Sequence, residues 1–185
     1  MALTILDEKA ALIAIDLQKG IVGLPLVHDA GEIVRKSAAL ARAFRAKGMP
    51  VVLVNVTAGA TGRTDEGPRK FAFPEGWTEL VEELGAEDAD LLVSKQAVSA
   101  FAGTGLDGRL RERGVTQVFL TGIATSAGVE SPARSARDLG YNVVLVVDAM
   151  TDRDAETHRH SVEKVFPRFG ETETTEGVLR VLAGV

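Results

Sequence analysis

The sequence predicts an α/β fold built on a parallel sheet, and three observations carry that prediction. Short apolar runs rich in β-branched residues recur along the chain, at 10–15, 51–56, 118–120 and 143–147, as in strands buried on both faces. Amphipathic segments with helical period separate them. The clearest pair of runs, within Val115 to Asp148, is joined by one helix, and such a βαβ unit needs a parallel sheet and a right-handed crossover.

Ala10 to Ile15 is the first buried strand and ends at Asp16, in the string IDLQKGIV. A carboxylate just past an apolar strand stands at the carboxyl edge of the sheet. Position alone leaves it open between a helix cap or surface turn and a functional group. Ala30 to Lys47 carries Ile33, Val34, Leu40, Ala41 and Phe44 on one face, which predicts a long helix with Gly48 as its stop. Pro50 opens a second strand, Val51 to Val56. From Thr57 to Gly76 the chain reads TAGATGRTDEGPRKFAFPEG, a loop of unusual length; such loops in compact domains are functional lids or disordered segments. Phe71, Phe73 and Trp77 give it apolar anchors, which favours an ordered lid or an intersubunit contact. A short helix is expected over Trp77 to Leu84, then a strand from Leu91 to Val93 running into Ser94 and Lys95, and a turn at Ser99-Ala100-Phe101. Gly103 to Gly114 predicts a helix with Leu106 and Leu110 inward and Arg109, Arg111 and Arg113 mostly in water.

In the central unit, Val118 to Leu120 is a strand and Val129, Ala133, Ala136 and Leu139 form one helix face opposite Arg134, Arg137 and Asp138. Pro132 sits in the first turns, where its missing N–H costs least, and Gly140 is placed as a C-cap. Val143 to Val147 is the following strand. The turn from Gly122 to Gly128 therefore lies at a strand's carboxyl end and a helix N-terminus. Open α/β sheets bind ligands there, and the free N–H groups favour negative charge. Beyond it the pattern predicts a loop from Asp148 to Arg153, a helix from Asp154 to Phe166, a short strand from Phe169 to Thr172, and a last helix capped by Thr174.

Composition limits the function. The 185 residues are enough for one domain spanning 1–185, with 45% hydrophobic and 25% charged residues as in soluble globular proteins. The net charge of -5 argues against a nucleic-acid surface. No apolar run approaches membrane-spanning length, and the N-terminus lacks the layout of a signal peptide. Cysteine is absent, which removes disulfides, thiolate metal sites and thiol catalysis together and points to the cytoplasm. No GxxxxGK[ST] or HExxH string occurs, and the G-x-G-x-x-G spacing after an early strand is missing, which disfavours a Rossmann-like nucleotide binder, and no cofactor is expected. His28, His158 and His160 lack metal-ligand spacing and are expected as surface histidines, with no metal site. Ser126 precedes a helix without a G-x-S-x-G elbow, so an N-cap is expected rather than a nucleophile. Asp16, Lys95 and the Gly122–Gly128 turn remain, all at carboxyl ends of strands. An Asp and a Lys meeting in a desolvated cleft form an acid/base pair or a buried ion pair.

Three strings, ALIAIDLQKGIV, the run from SKQAVSAFAGTG through GIATSAGVESPARSARDLGYNVVLVVDAM, and HSVEKVFPRFGE, span most of the chain. In their order and spacing the sequence resembles the isochorismatase-like hydrolase family, which also holds nicotinamidases and N-carbamoylsarcosine amidohydrolases. The resemblance implies a three-layer α/β/α, Rossmann-like fold with a six-stranded parallel sheet, and a homo-oligomer. It implies Asp16 and Lys95 as the catalytic pair and a cis peptide at Ile123–Ala124. Lys95 would tune Asp16 and bind an anionic group. Ile123, Ala124, Thr125 and Gly128 of the turn, with Asn55 and Phe101, are the expected substrate or oxyanion contacts. The family's amidohydrolases carry a nucleophilic Cys where this chain has Gly128, so their acyl-enzyme route is closed here. Isochorismatases also carry Gly there and use the acidic residue. A pocket glutamine expected near the end of the second strand is not evident around Asn55-Val56-Thr57, and nicotinamidase metal ligands have no counterpart in Thr57–Gly76. The expectation is a hydrolase of a small anionic substrate, working by Asp-driven, non-covalent acid/base hydrolysis. The rival is a catalytically silent member that binds a small carboxylate or a partner protein.

Overall fold

The computed structural model describes residues 3–65, 67 and 73–184. Its strands are β1 (Ala10–Ile15), β2 (Val51–Val56), β3 (Leu91–Lys95), β4 (Gln117–Ile123), β5 (Asn142–Thr151) and β6 (Glu171–Glu173). They form one six-stranded sheet in the order β3-β2-β1-β4-β5-β6, every neighbouring pair parallel. The chain begins mid-sheet, builds outward through β2 and β3, then crosses back to add β4 beside β1. The carboxyl ends of β1 and β4 thus flank the point where strand order reverses, the place where open α/β sheets form a crevice.

Alternate residues of β1 feed two cores, because successive side chains of a strand point to opposite faces. Ala10, Leu12 and Ala14 pack with Leu40 and Phe44 of α2 (Ala30–Ala46) and with Val178 and Leu182 of the C-terminal helix (Thr175–Ala183). Ala11, Ile13 and Ile15 pack with Leu106 and Leu110 of α3 (Leu106–Arg111) and with Ala133 and Ala136 of α4 (Glu130–Asp138). Helices cover both faces, which makes three layers.

Several elements differ from the sequence reading, each for a tertiary reason. The helix expected over Trp77 to Leu84 shrinks to a 3-10 turn at Glu82–Leu84. Its backbone is used elsewhere: Lys19 and Gly20 N–H donate to Glu79 and Trp77 carbonyls, and Val81 N–H donates to Leu17. The loop expected at Asp148 to Arg153 is half strand, because after a register shift Met150 and Thr151 pair with Gly122 and Ile123. Gly103 and Gly105 both take positive φ, so the helix expected from Gly103 starts only at Leu106. The helix expected over Asp154 to Phe166 is regular only over Ala155–His160 (α5), capped by Asp154, and continues as a π-turn over Ser161–Val165. Of the loop aromatics, Phe71 lies outside the described residues. Phe73 stacks on Trp77 with ring centroids 3.9 Å apart, and Trp77 lies on α1 (Lys19–Val22), where a Cβ at Gly20 would overlap its indole.

Gly122 is the tightest glycine requirement in the sheet. It pairs with Ile15 at φ 123, and a Cβ would overlap the Ile15 main chain. Gly48 also has positive φ (66), but open space surrounds it. Denaturant unfolding should therefore separate the two: Gly48→Ala should cost about 1 kcal/mol, and Gly122→Ala about 3 kcal/mol or more.

Candidate active site

Asp16 leaves β1 in the left-handed region, at φ 55, a conformation that Asp and Asn tolerate better than other non-glycine residues. The ladder holds it there: its N–H donates to Val54 O at 2.8 Å. Two residues on, Gln18 is fully buried and clamps the end of β2. Its Oε1 accepts from Val56 N–H at 2.8 Å and its Nε2 donates to Val56 O at 3.1 Å. Val56 in turn pairs with Lys95, the last residue of β3. Lys95 reaches past the end of β2 and places Nζ 2.8 Å from Asp16 Oδ2, with side-chain exposures of only 2% and 6%. A second Nζ hydrogen goes to Val98 O at 2.8 Å. Asp16 Oδ1 is buried and has no hydrogen-bond partner among the described residues. Burial raises the Asp16 pKa to about 6, against the opposing pull of the Lys95 charge and its hydrogen bond.

The other side of the site is the turn after β4. Ile123–Ala124 is a cis peptide, as the resemblance implied. Residues Thr125–Val129 form a π-turn that leads into α4, with Val129 N–H reaching back to Ala124 O at 3.0 Å. Ser126 does not act as a side-chain cap. The acceptor comes from β5's end instead: Asp152 Oδ2 takes Ser126 N–H at 2.7 Å while Oδ1 takes Arg153 N–H at 2.8 Å. With Ala127 N–H on Ala124 O as well, three donors of the turn are spent internally. Gly128 packs so closely that an added Cβ would lie 2.8 Å from Ile123 O and 3.1 Å from Asp16 Oδ2. The first contact is with backbone and cannot be relieved by a side-chain rotation.

Asp16, Lys95, Ile123, Ala124 and Gly128 converge on one cavity of about 400 Å³. Its walls are mostly aliphatic, with Ile21, Leu24, Val56, Ala97 and Val98 among them, and residues 58–60, 62, 64 and 67 of the long loop also face it. Among the described residues the loop thus does reach the cleft, through 58–60, 62, 64 and 67, while Trp77, on which Phe73 stacks, packs on α1.

An isochorismatase domain model matches residues 10–177. The chain belongs to the isochorismatase family. It is 40% identical over 184 residues to the isochorismatase family protein YecD of Escherichia coli O157:H7, covering 95% of this chain and 97% of that protein. A solved isochorismatase family protein from Burkholderia thailandensis superposes with a TM-score of 0.92 at 39% identity, over 96% of this chain and 97% of that one. Enzymes occur among its homologues: the ureidoacrylate amidohydrolase RutB of Klebsiella pneumoniae (strain 342) is 30% identical over 179 residues, covering 80% of this chain and 75% of that protein.

In this member of the family three of the expected contact residues stand away from the cavity. Asn55 is held from both ends of its amide, donating to Thr78 O and accepting from Ser94 Oγ, each at 2.8 Å. Phe101 packs in the α3–α4 core near Tyr141. Thr125 is buried and its Oγ1 bonds His158 Nδ1 at 2.8 Å. That contact also corrects the reading of His158 as a surface residue: it is half-buried, edge-on to His28, and its pKa is lowered first by desolvation. Sequence reasoning missed Gln18, Asp152 and Arg153. The first two act through backbone partners distant in sequence, so no local pattern marks them; Arg153 lies in what reads as a plain polar loop, yet lines the cavity. Among the described residues no group of three or more His, Cys, Asp or Glu could hold a metal ion, and no helix is long and apolar enough to cross a membrane.

The raised Asp16 pKa fixes a sign for stability. Between its ordinary value of 3.8 and about 6 the folded state holds a proton that the unfolded state has lost, so this group's contribution falls as pH rises through that window. Carbon-13 NMR of the Asp16 carboxyl should titrate near pH 6. Lys95→Met should move that midpoint upward, because the ammonium is what opposes burial. A midpoint near the ordinary carboxylate value, or a downward move, would contradict the electrostatic account.

Proposed function

We propose that the protein is a hydrolase of a small anionic substrate that adds water directly, with Asp16 as the proton-transfer group and Lys95 as its electrostatic partner. The observation that carries this reading is the buried Asp16 carboxylate, which lines a cavity and whose Oδ1 has no hydrogen-bond partner among the described residues, in a chain with no cysteine. As a carboxylate, Asp16 takes a proton from water; the hydroxide oxygen bonds to the electrophilic carbon, and the proton then passes to the leaving group as the scissile bond breaks. Above a pKa of about 6 Asp16 is ready as a base, and below it as an acid. Lys95 holds the carboxylate in place through Oδ2 and leaves Oδ1 for chemistry. Ala124 and Gly128, which line the cavity, are the candidates for backbone contact to a developing oxyanion. The amidohydrolases among the homologues support a hydrolytic reaction. The reading includes one domain over 1–185, a homo-oligomer, and the cytoplasm as its place of work.

Two tests follow from the geometry. Ureidoacrylate, maleamate, isochorismate, nicotinamide and N-carbamoyl compounds should be screened against wild type and Asp16→Asn, which retains the left-handed backbone. One or more should be turned over, and Asn should lower kcat by about a hundredfold or more. A wild type inert on all of them, with Asp16→Asn unchanged in ligand binding, favours the silent-member reading. Gly128→Cys should not create amidase activity and should lower the native one, since its Cβ crowds both Ile123 O and Asp16. A gain of amidase activity with burst kinetics would show that the site lacks only its thiol.

A further inference from the structure

We infer that the substrate is a short aliphatic monocarboxylate, anchored by Arg153, which lines the same cavity as Asp16; this deepens the hydrolase reading and rests on it. The inference starts from the charges that face the cavity. Two of the three Nζ hydrogens of Lys95 go to Asp16 Oδ2 and Val98 O, each at 2.8 Å, and the side chain is only 2% exposed, so its charge is spent on the Asp16 pair. The anion-binding role expected of Lys95 from the sequence therefore falls elsewhere. Asp16 and Lys95 cancel at neutral pH. Arg153 is the remaining cation among the described lining residues, and its guanidinium has no carboxylate partner there. The charges of the described lining residues thus sum to one net positive.

The rest of the described wall is mostly alkyl or glycine. Ile21, Leu24, Val56, Ala97 and Val98 line it, and no aromatic ring stands among the described lining residues. Leu24 and Val98 remain 37% and 49% exposed, apolar surface at a pocket wall that an aliphatic ligand body would cover. A planar guanidinium matches a carboxylate by two parallel N–H bonds, whereas a phosphate dianion would call for more donors than the described lining residues supply. Arg153 is also fixed at its root: its N–H binds Asp152 Oδ1, and the other oxygen of the same carboxylate holds the Ser126 N–H of the turn. Asp152 thereby sets the anchor and the catalytic turn in one frame.

Binding of isovalerate, isovaleramide and isoamylamine, followed by NMR titration, tests this without any turnover. Wild type should bind isovalerate about tenfold or more tightly than the amide or the amine. Arg153→Ala, an exposed position that should fold normally, should bring isovalerate down to the level of the amide, and Arg153→Lys should restore part of the difference. Equal binding of acid and amide, no binding of the acid, or no effect of Arg153→Ala would overturn the anchor. If the isovalerate pattern holds while no substrate is hydrolysed and Asp16→Asn changes nothing, the hydrolase reading fails and the anchor stands.

Discussion

The buried pair of Asp16 and Lys95 is the interaction on which the site depends. Two charges taken out of water lose several kcal/mol of solvation each, and mutual attraction repays that only when geometry is close and other donors are placed. Here the contact is direct, at 2.8 Å, yet burial still prevails at Asp16, whose pKa stands above its ordinary value. The pair is therefore poised rather than locked. The strands that bear it are not neighbours: β2 lies between β1 and β3, and Lys95 must pass the end of β2 to reach Asp16. That is why the end of β2 is tied so firmly, with Val56 held by the Gln18 amide on one side and the β3 ladder on the other.

The second constraint is close approach of backbone. Gly122 lets β4 run against Ile15, and Gly128 lets the π-turn come down beside Asp16. A side chain at either place would force main chain to move. Asp152 completes the arrangement from β5 by accepting Ser126 N–H, which the turn's own Ser126 hydroxyl does not do. Three adjacent strands thus contribute one element each to the site's frame: β1 the carboxylate, β4 the turn, and β5 the group that holds the turn.

What could be read in the sequence follows from how local the signal is. The fully buried runs at β1 and β4 and the mostly buried run at β2 state their strands plainly, and the order of Asp16, Lys95 and GIAT states the family. The end of β5 could not be read, because Asp148 to Thr151 looks like a polar loop until its pairing with Gly122 and Ile123 is known. Residues 77–81 carry helix-compatible residues but spend their carbonyls on the segment after Asp16. Asn55 stands at the right strand end for a ligand contact, and only the structure reveals that Thr78 and Ser94 occupy its amide. Polar side chains near an edge can face in or be consumed locally, and spacing does not distinguish the two.

On the proposed reading, the absence of a thiol is matched by the shape of the site rather than left as a gap in it. A covalent route needs a side chain at position 128, and that space is bounded by the Ile123 carbonyl and by Asp16 itself. A water route needs only a proton acceptor with a pKa near the working pH, together with an open acceptor atom. Asp16 has a pKa of about 6, and its buried Oδ1 has no hydrogen-bond partner among the described residues. The same ion pair that would serve to activate a cysteine can instead activate water, provided that nothing fills the space over Gly128. Glycine at that position then lets the turn sit close enough to Asp16 for its backbone to meet the oxygen that becomes charged.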